Sequence, residues 1–204
     1  MHIKSVHINN IKSVRDFKME FEHPAGWHVI IGENGSGKST IVQAIAFNLV
    51  GDDVSGLRID YFGWLNYNSK KGQITVKIKR NEYDHDLSNE HISEDHYIVT
   101  EHEFETDILS WYVKNETSLE RKHDYKKGKG WFSASYGPFR RFTGGISTQE
   151  FKSHPLLAAH VSIFGEDIAL AEALEWLKEL RFKQLDNKAE GNILDYLKVL
   201  INSE

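Results

Sequence analysis

The sequence predicts an α/β fold with a mixed β-sheet, and three patterns along its 204 residues support this expectation. The chain opens with short segments of alternating or continuously apolar residues, which indicate strands, and an apolar-periodic helix follows them. Next comes a series of strand-like segments separated by polar loops, which is typical of antiparallel β-structure. Helical periodicity returns only after residue 155. The expected order is therefore strands, one helix, an antiparallel β insert and C-terminal helices.

Three strands and one helix are predicted in the first 50 residues. Residues 2–8 and 16–21 alternate between apolar and polar side chains, as half-buried strands do. Residues 27–31 form a continuously apolar run, which is typical of a strand buried on both faces. A helix is predicted over residues 38–49, and Gly51 suits its C-terminal cap. Its apolar face consists of Ile41, Ala44, Ile45 and Leu49.

A single domain of three parts is expected, because a chain of this length buries one core. Residues 1–50 hold the first strands and the helix, residues 51–145 a mainly antiparallel β insert, and residues 146–204 a helical part. Residues 60–65 are aromatic and suit one helical turn. The insert's strands are predicted at residues 73–79, 96–103, 108–113 and 131–136. The helical segments are predicted at residues 155–164, 166–182 and 192–201.

The loop between the third strand and the helix, Gly32 to Thr40, has the spacing G-x-x-x-x-G-K-[ST] of a phosphate-binding P-loop. Its glycines let backbone N–H groups converge on phosphate oxygens, and the dipole of the following helix favours negative charge there. Lys38 is expected to reach the β- and γ-phosphates as the catalytic cation, and Ser39 to hold Mg²⁺. The sequence therefore predicts binding of a nucleoside triphosphate with Mg²⁺. The expected contacts are Asn34, Gly35, Ser36, Gly37, Lys38, Ser39 and Thr40.

Charge and composition limit which partners, metal sites and cellular locations are expected. The net charge of −5 provides no global attraction to nucleic acid or anionic lipid, so such a contact must be local. Residues 121–130, a lysine-rich stretch around Tyr125, are the candidate DNA contact, although a solvated hairpin tip would have the same composition. Without a cysteine, an apolar leader or an apolar run of membrane-spanning length, the chain is expected to be cytoplasmic and free of thiolate metal sites.

Two further stretches invite a functional interpretation. Residues 81–102 are rich in Asp, Glu and His, but their spacing matches no compact metal-ligand pattern, so a solvated acidic loop is expected. Residues 161–167 are the nearest approach to the apolar strand with a terminal acidic pair that holds magnesium in hydrolysing enzymes. Gly165 and the order Glu166-Asp167 instead favour a loop that caps the next helix.

Several segments resemble one group of ATPases. The stretches IKSVHINNIKSV at residues 3–14, GWHVIIG at 26–32 and GSGKSTI at 35–41 resemble the N-terminal half of SMC-like ABC ATPases, the group that contains RecF and the double-strand-break repair ATPases. WFSASYGPFRRFTGG at 131–145 and SIFGED at 162–167 resemble bacterial AAA-family ATPases, including those of Septu- and retron-type antiphage defence systems. The resemblance implies an ABC/SMC-head fold for the whole chain.

The resemblance also carries expectations about mechanism. SMC-like heads sandwich ATP between two copies, so it implies ATP-driven dimerisation, as a homodimer or with a partner head, and signalling to an effector nuclease or DNA. Their signature motif and acidic metal-binding strand lie in a C-terminal half, which would begin soon after residue 204. Residues 1–204 are therefore expected to form the N-terminal lobe of the head. ATP hydrolysis is expected of the complete protein.

Residues outside the P-loop also resemble positions of these ATPases. Lys12, Ser13 and Arg15 resemble residues that approach the nucleotide in SMC-like heads, although ordinary turn residues would fit equally. Arg140 and Arg141 follow a Gly-Pro turn and suit contacts to phosphate or to an acidic surface, or a structural ion pair. Residues 140–149 also resemble the ABC signature, but no helix pattern starts there.

Two other functions remain open at the sequence level. A small-molecule kinase is compatible with the chain length and with Arg140 and Arg141 in a mobile lid, but the long β insert directly after the P-loop helix fits a kinase poorly. A non-catalytic nucleotide-binding interaction module is the third possibility. The recipient of the phosphate distinguishes the three: water, a metabolite or none.

Overall fold

The computed structural model describes residues 1–57, 60, 62–79, 97–105, 108–114, 132–137, 154–165, 171–186 and 192–202. This part of the chain contains the strands β1 (His2–Ile11), β2 (Val14–Glu20), β3 (Lys71–Lys79), β4 (Tyr97–Glu105) and β5 (Ile108–Lys114). Its α-helices are α1 (Lys38–Val50), α2 (Pro155–Ala158), α3 (Ala171–Leu185) and α4 (Asn192–Ile201). Short 3₁₀-helices span Gly51–Gly56, Phe62–Trp64 and Val161–Phe164.

The five strands form one antiparallel sheet in the order β2-β1-β3-β4-β5. Alternation of side chains explains its single buried face: Ile74, Val76 and Ile78 of β3 are buried, whereas the residues between them remain partly exposed. The predicted insert strands at residues 73–79, 96–103 and 108–113 are confirmed as β3, β4 and β5. The insert thus extends the sheet that the N-terminal hairpin begins.

Helix α1 packs across the buried face of this sheet through Phe47, which has no exposed surface. The Phe47 ring lies 4.8 Å from Trp64, 4.8 Å from His102, 5.6 Å from Phe104 and 6.2 Å from Phe164, measured between ring centroids. Such aromatic contacts contribute beyond their buried area. They connect α1 to the sheet, to the turn at Phe62–Trp64 and to the segment Val161–Phe164.

A buried amide also fixes α1 on the sheet. Asn48 donates its Nδ2 hydrogen to the Ile74 carbonyl oxygen at 2.8 Å, and its Oδ1 atom accepts a hydrogen bond from the Thr100 hydroxyl. A buried polar side chain costs free energy unless it is bonded, so these partners favour one placement of the helix over β3 and β4. Because the loop that precedes α1 continues into the helix, these contacts also set the position of the loop.

The predicted central strand at residues 27–31 is wrong for the structure as described. These residues adopt no regular element, and their main chain makes no hydrogen bond to other described residues. Trp27 is 99% exposed, Val29 79% and Ile31 89%, whereas Ile30 packs against the core. The reason is that a buried strand needs neighbours on its edges, and none of the five described strands pairs with residues 27–31.

The prediction of a strand at residues 131–136 is also wrong for its described part. Residues 132–137 form no strand; the Ser135 N–H donates to the Ala159 carbonyl oxygen at 3.0 Å, outside any ladder. The helical turn at residues 60–65 is confirmed at Phe62–Trp64, and the C-terminal helices are confirmed as α3 and α4, with residues 166–170 outside the described residues. None of the described helices combines the length and the apolar character needed to cross a bilayer.

Candidate functional site

The loop before α1 turns sharply at two glycines. Gly35 has φ +84° and Gly37 has φ +91°, a left-handed region that residues with a Cβ rarely adopt. The Ser36 N–H donates to the Glu33 carbonyl oxygen at 3.2 Å, and the Ile41 N–H donates to the Gly37 carbonyl oxygen at 2.9 Å, which closes the first turn of α1. The loop therefore curls directly into the start of the helix.

Among the described residues, none neutralises the positive end at the N-terminus of α1. Within the described part of the chain, no side chain caps Gly37, and the first turn of the helix contains no acidic residue. The first backbone N–H groups of any helix lack intrahelical acceptors, and the helix dipole makes this end electropositive. An anion bound here would satisfy both features.

Lys38 folds back over the loop that precedes it. Its Nζ atom donates to the Gly32 carbonyl oxygen at 2.8 Å and to the Glu33 carbonyl oxygen at 2.7 Å. Both acceptors are uncharged, so the ammonium keeps its full charge at the mouth of the loop. A phosphate oxygen is a stronger acceptor than a carbonyl for such a donor.

A cavity of about 620 Å³ opens beside the start of α1. Lys38, Ser39 and Gln43 of the helix line one wall, and His28 to Ile30 line another. Tyr136 and Ile163 contribute from distant parts of the chain. Because Ser39 is exposed and faces this cavity, its hydroxyl is accessible as a magnesium ligand. The described lining residues include no carboxylate, so the other metal ligands would be phosphate oxygens and water.

The turn between β1 and β2 packs against the loop. The Ser13 hydroxyl oxygen lies 3.9 Å from the position of a Cβ built on Gly37, and the Val14 side chain lies 3.3 Å from it. Lys12, next to Ser13, has φ +49°, and its N–H donates to the Trp64 carbonyl oxygen at 2.6 Å. Ser13 and Val14 thus lie next to Gly37, whereas Lys12 and Ser13 are not among the described residues that line the cavity. Arg15 is exposed on β2 and makes no contact with the loop among the described residues.

The Lys12 ammonium is held without a counter-ion in the described part of the chain. Its Nζ atom donates to the Gln43 side-chain oxygen at 2.9 Å and lies 4.1 Å from the centroid of the Trp64 ring. Partial burial lowers the pKa of Lys12 through desolvation. Both neighbours of the charge are neutral groups.

A buried histidine fixes the segment that carries Tyr136. The two ring nitrogens of His160 lie 2.9 Å from the Ser133 hydroxyl and 2.8 Å from the Ser135 hydroxyl. Burial lowers the pKa of His160 to about 4, so the ring is neutral at pH 7. Ser162 adds a second link, because its hydroxyl donates to the Ser135 carbonyl oxygen at 3.1 Å. These bonds hold residues 132–137 against the segment that follows α2.

Several other predicted positions lie outside the described residues. These are Arg140, Arg141, the basic stretch at residues 121–130 and the acidic pair Glu166-Asp167. The acidic stretch at residues 81–102 lies mostly outside them as well. Within the described residues no group of three or more His, Asp or Glu side chains could hold a metal ion.

The sequence reasoning missed Gln43 and Tyr136, which also line the cavity. Gln43 follows Ser39 by four residues, and that spacing places both side chains on one face of a helix. This signal was available in the sequence. Tyr136 carried no comparable signal, because the bonds to His160 and Ser162 bring it to the site from far along the chain.

Comparisons with known proteins agree with this geometry. The AAA_23 family, described as an AAA domain, matches residues 5–202. The Septu protein PtuA of Bacillus mycoides is 34% identical over 82 residues, which are 37% of this chain and 12% of that protein. The DNA double-strand break repair Rad50 ATPase of Nanoarchaeum equitans is 41% identical over 76 residues, 37% of this chain and 8% of that protein. The chain thus spans only a small fraction of these curated relatives.

A solved structure supports the fold alone. The SmcHead bound to the C-winged helix domain of ScpA superposes with a TM-score of 0.50 and 20% sequence identity, covering 75% of this chain and 47% of that chain. The α/β fold of the ABC/SMC-head type that the sequence predicts is therefore confirmed. The family match over residues 5–202 shows that the chain belongs to the AAA domain family AAA_23.

Proposed function

We propose that this chain binds Mg-ATP at residues 34–40 and serves as the nucleotide-binding part of an ATP-driven dimerisation switch. The observation that carries the proposal is the electropositive start of α1, where the uncapped helix end and the Lys38 ammonium meet at one loop. Lys38 would then donate to phosphate oxygens in place of the Gly32 and Glu33 carbonyls. Backbone N–H groups of the loop would donate to the phosphates, and the Ser39 hydroxyl would be a ligand for Mg²⁺.

The β1–β2 turn supplies a second set of contacts in this proposal. The Lys12 ammonium, which has only neutral partners among the described residues, is bonded to Gln43 one helical turn after Ser39 and favours an anion at this end of α1. The Ser13 hydroxyl lies close to Gly37 and provides a further donor. Arg15, Arg140 and Arg141 remain proposed contacts on the basis of the sequence.

We further propose that residues 1–204 form one lobe of a head and that additional strands complete it. The support is the segment at residues 27–31, whose apolar side chains are exposed and whose main chain has no partner among the described residues. Neighbouring strands would cover both features. The relatives' greater length agrees with a larger head.

The proposed role of the complete protein is a switch in DNA repair or antiphage defence in the cytoplasm, because one relative is a DNA double-strand break repair ATPase and another a Septu protein. Two heads close on ATP, as a homodimer or with a partner head, and closure acts on an effector nuclease or on DNA through residues 121–130. Hydrolysis is assigned to the completed head. The lack of a carboxylate among the described cavity residues favours binding without turnover by this chain alone.

Calorimetric titration with Mg-ATP tests the proposal, with Lys38→Ala as the matched variant. We expect saturable binding to the native chain and none to the variant, with the unfolding temperature of both recorded as a control for folding. A folded native chain that gives no binding heat would refute the proposal. Phosphate release to water, phosphate transfer to a metabolite and binding alone then separate the ATPase, the kinase and the interaction module.

A further inference from the structure

Gln43 connects three elements at the candidate site. Its side-chain oxygen accepts a hydrogen bond from the Lys12 ammonium at 2.9 Å, and its side-chain nitrogen donates to the Ile163 carbonyl oxygen at 2.9 Å. The first bond reaches the β1–β2 turn and the second reaches the segment Val161–Phe164. Because both ends of the amide are bonded, its orientation is fixed.

The main chain of Lys12 is also held by hydrogen bonds. Its N–H donates to the Trp64 carbonyl oxygen at 2.6 Å, and its carbonyl oxygen accepts from the Asn66 side-chain nitrogen at 2.6 Å. The Trp64 ring, which is 4% exposed, then supports the ammonium from 4.1 Å. Backbone, ring and amide together leave the Lys12 side chain little freedom.

An ammonium group has three N–H donors, and Gln43 accepts only one of them. No carboxylate pairs with Lys12 among the described residues. A partly desolvated cation with unused donors and no counter-ion gains strongly when an anion approaches. The Lys12–Gln43 bond can therefore persist while the same ammonium contacts a phosphate oxygen.

The position of Gln43 places this arrangement at the P-loop. Gln43 lies one helical turn after Ser39 and lines the same cavity as Ser39 and Lys38. The neighbouring turn residue Ser13 has its hydroxyl oxygen 3.9 Å from the position of a Cβ built on Gly37. The Lys12 ammonium is therefore bonded to a residue that lines the cavity into which the loop opens.

We propose that Gln43 is a positioning residue that holds the Lys12 ammonium preorganised for the triphosphate. The inference deepens the proposed function and rests on it. Gln43 acts through Lys12 and contributes no charge of its own. Its bond to the Ile163 carbonyl oxygen fixes the amide, so that the side-chain oxygen stays directed at Lys12.

A double-mutant cycle on Mg-ATP binding tests this, using the full 204-residue chain and isothermal titration calorimetry. Lys12→Met keeps the aliphatic contact with Trp64 and removes the charge, and we expect it to raise Kd by at least about tenfold. Gln43→Met removes both amide bonds at nearly constant volume, and we expect an increase of about three- to tenfold. In the double variant, Kd should equal that of Lys12→Met, because Gln43 acts only through the ammonium.

Gln73→Met serves as the matched control, since Gln73 lies on β3 away from this cavity, and its Kd should equal that of the native chain. Additive effects of Lys12→Met and Gln43→Met, or an unchanged Kd in Gln43→Met, would overturn the inference. If Gln43→Met does not fold, Gln43→Asn takes its place, because its shorter amide cannot make both bonds.

Two outcomes separate this inference from the function on which it rests. In the first, the native chain binds Mg-ATP, Lys38→Ala abolishes this binding, and the effects of Lys12→Met and Gln43→Met are additive. This outcome refutes the positioning role of Gln43 but not the proposed function. A folded native chain that binds no Mg-ATP refutes both. Salt dependence gives a further readout: Kd of Gln43→Met should change less steeply with ionic strength than that of the native chain, whereas a merely structural defect would leave the slope unchanged.

Discussion

The stability of the fold should fall between pH 6.5 and pH 5, because two histidines are buried in their neutral form. Burial lowers the pKa of His160 to about 4 and that of His102 to about 3. In the unfolded chain an ordinary histidine has a pKa of about 6.5. Between these values the unfolded state binds more protons than the native state, so the free energy of unfolding rises with pH and is lost as the pH falls.

The size of the effect follows from the pKa difference. Each pH unit below about 6.5 costs about 1.4 kcal/mol per histidine while the native ring stays neutral. At pH 5 the loss is therefore about 2 kcal/mol for His160 and a similar amount for His102. The His160 contribution levels off below a pH of about 4, where the native ring also becomes protonated.

Urea unfolding of the native chain and of His160→Asn at pH 7.5 and pH 5 measures this contribution. Asparagine does not titrate, so the variant should lose about 2 kcal/mol less between the two pH values than the native chain does. His23→Asn is the matched control for replacing a histidine, since His23 is exposed. Equal losses in His160→Asn and the native chain would refute the reasoning from burial.

Three further predictions follow from the packing and from the loop. Lys38→Met should weaken Mg-ATP binding by at least about 100-fold, because it removes the ammonium that the proposal places on the phosphates, and fluorescent-nucleotide displacement would detect this. Phe47→Ala should lower the free energy of unfolding by about 3 to 5 kcal/mol in urea, since the ring is fully buried among other aromatic rings. Trp27→Ser should change the same quantity by less than about 0.5 kcal/mol, because the side chain is 99% exposed; a larger loss would mean that this segment is packed.

The elements that could be predicted from the sequence are those whose structure is determined by neighbouring residues in the chain. Alternation of buried and exposed positions located β3, and the glycine spacing located the turn into α1. Residues 27–31 show the limit of such reasoning, because a continuously apolar run predicts what a segment would bury but not whether neighbours are present to bury it. The described residues contain no strand that pairs with this segment, so its apolar side chains are exposed.

The candidate site shows the same division between local and long-range information. The loop and Lys38 are read from consecutive residues, whereas the environment of Lys12 depends on Gln43 from α1 and Trp64 from a later turn. No sequence pattern states that an amide on one helix will meet an ammonium from a hairpin turn, since the aromatic packing around Phe47 sets that meeting. Chemistry at this site therefore depends on core packing: a substitution that moves α1 over the sheet would shift Gln43 and break its hydrogen bond to Lys12 while leaving the P-loop sequence intact.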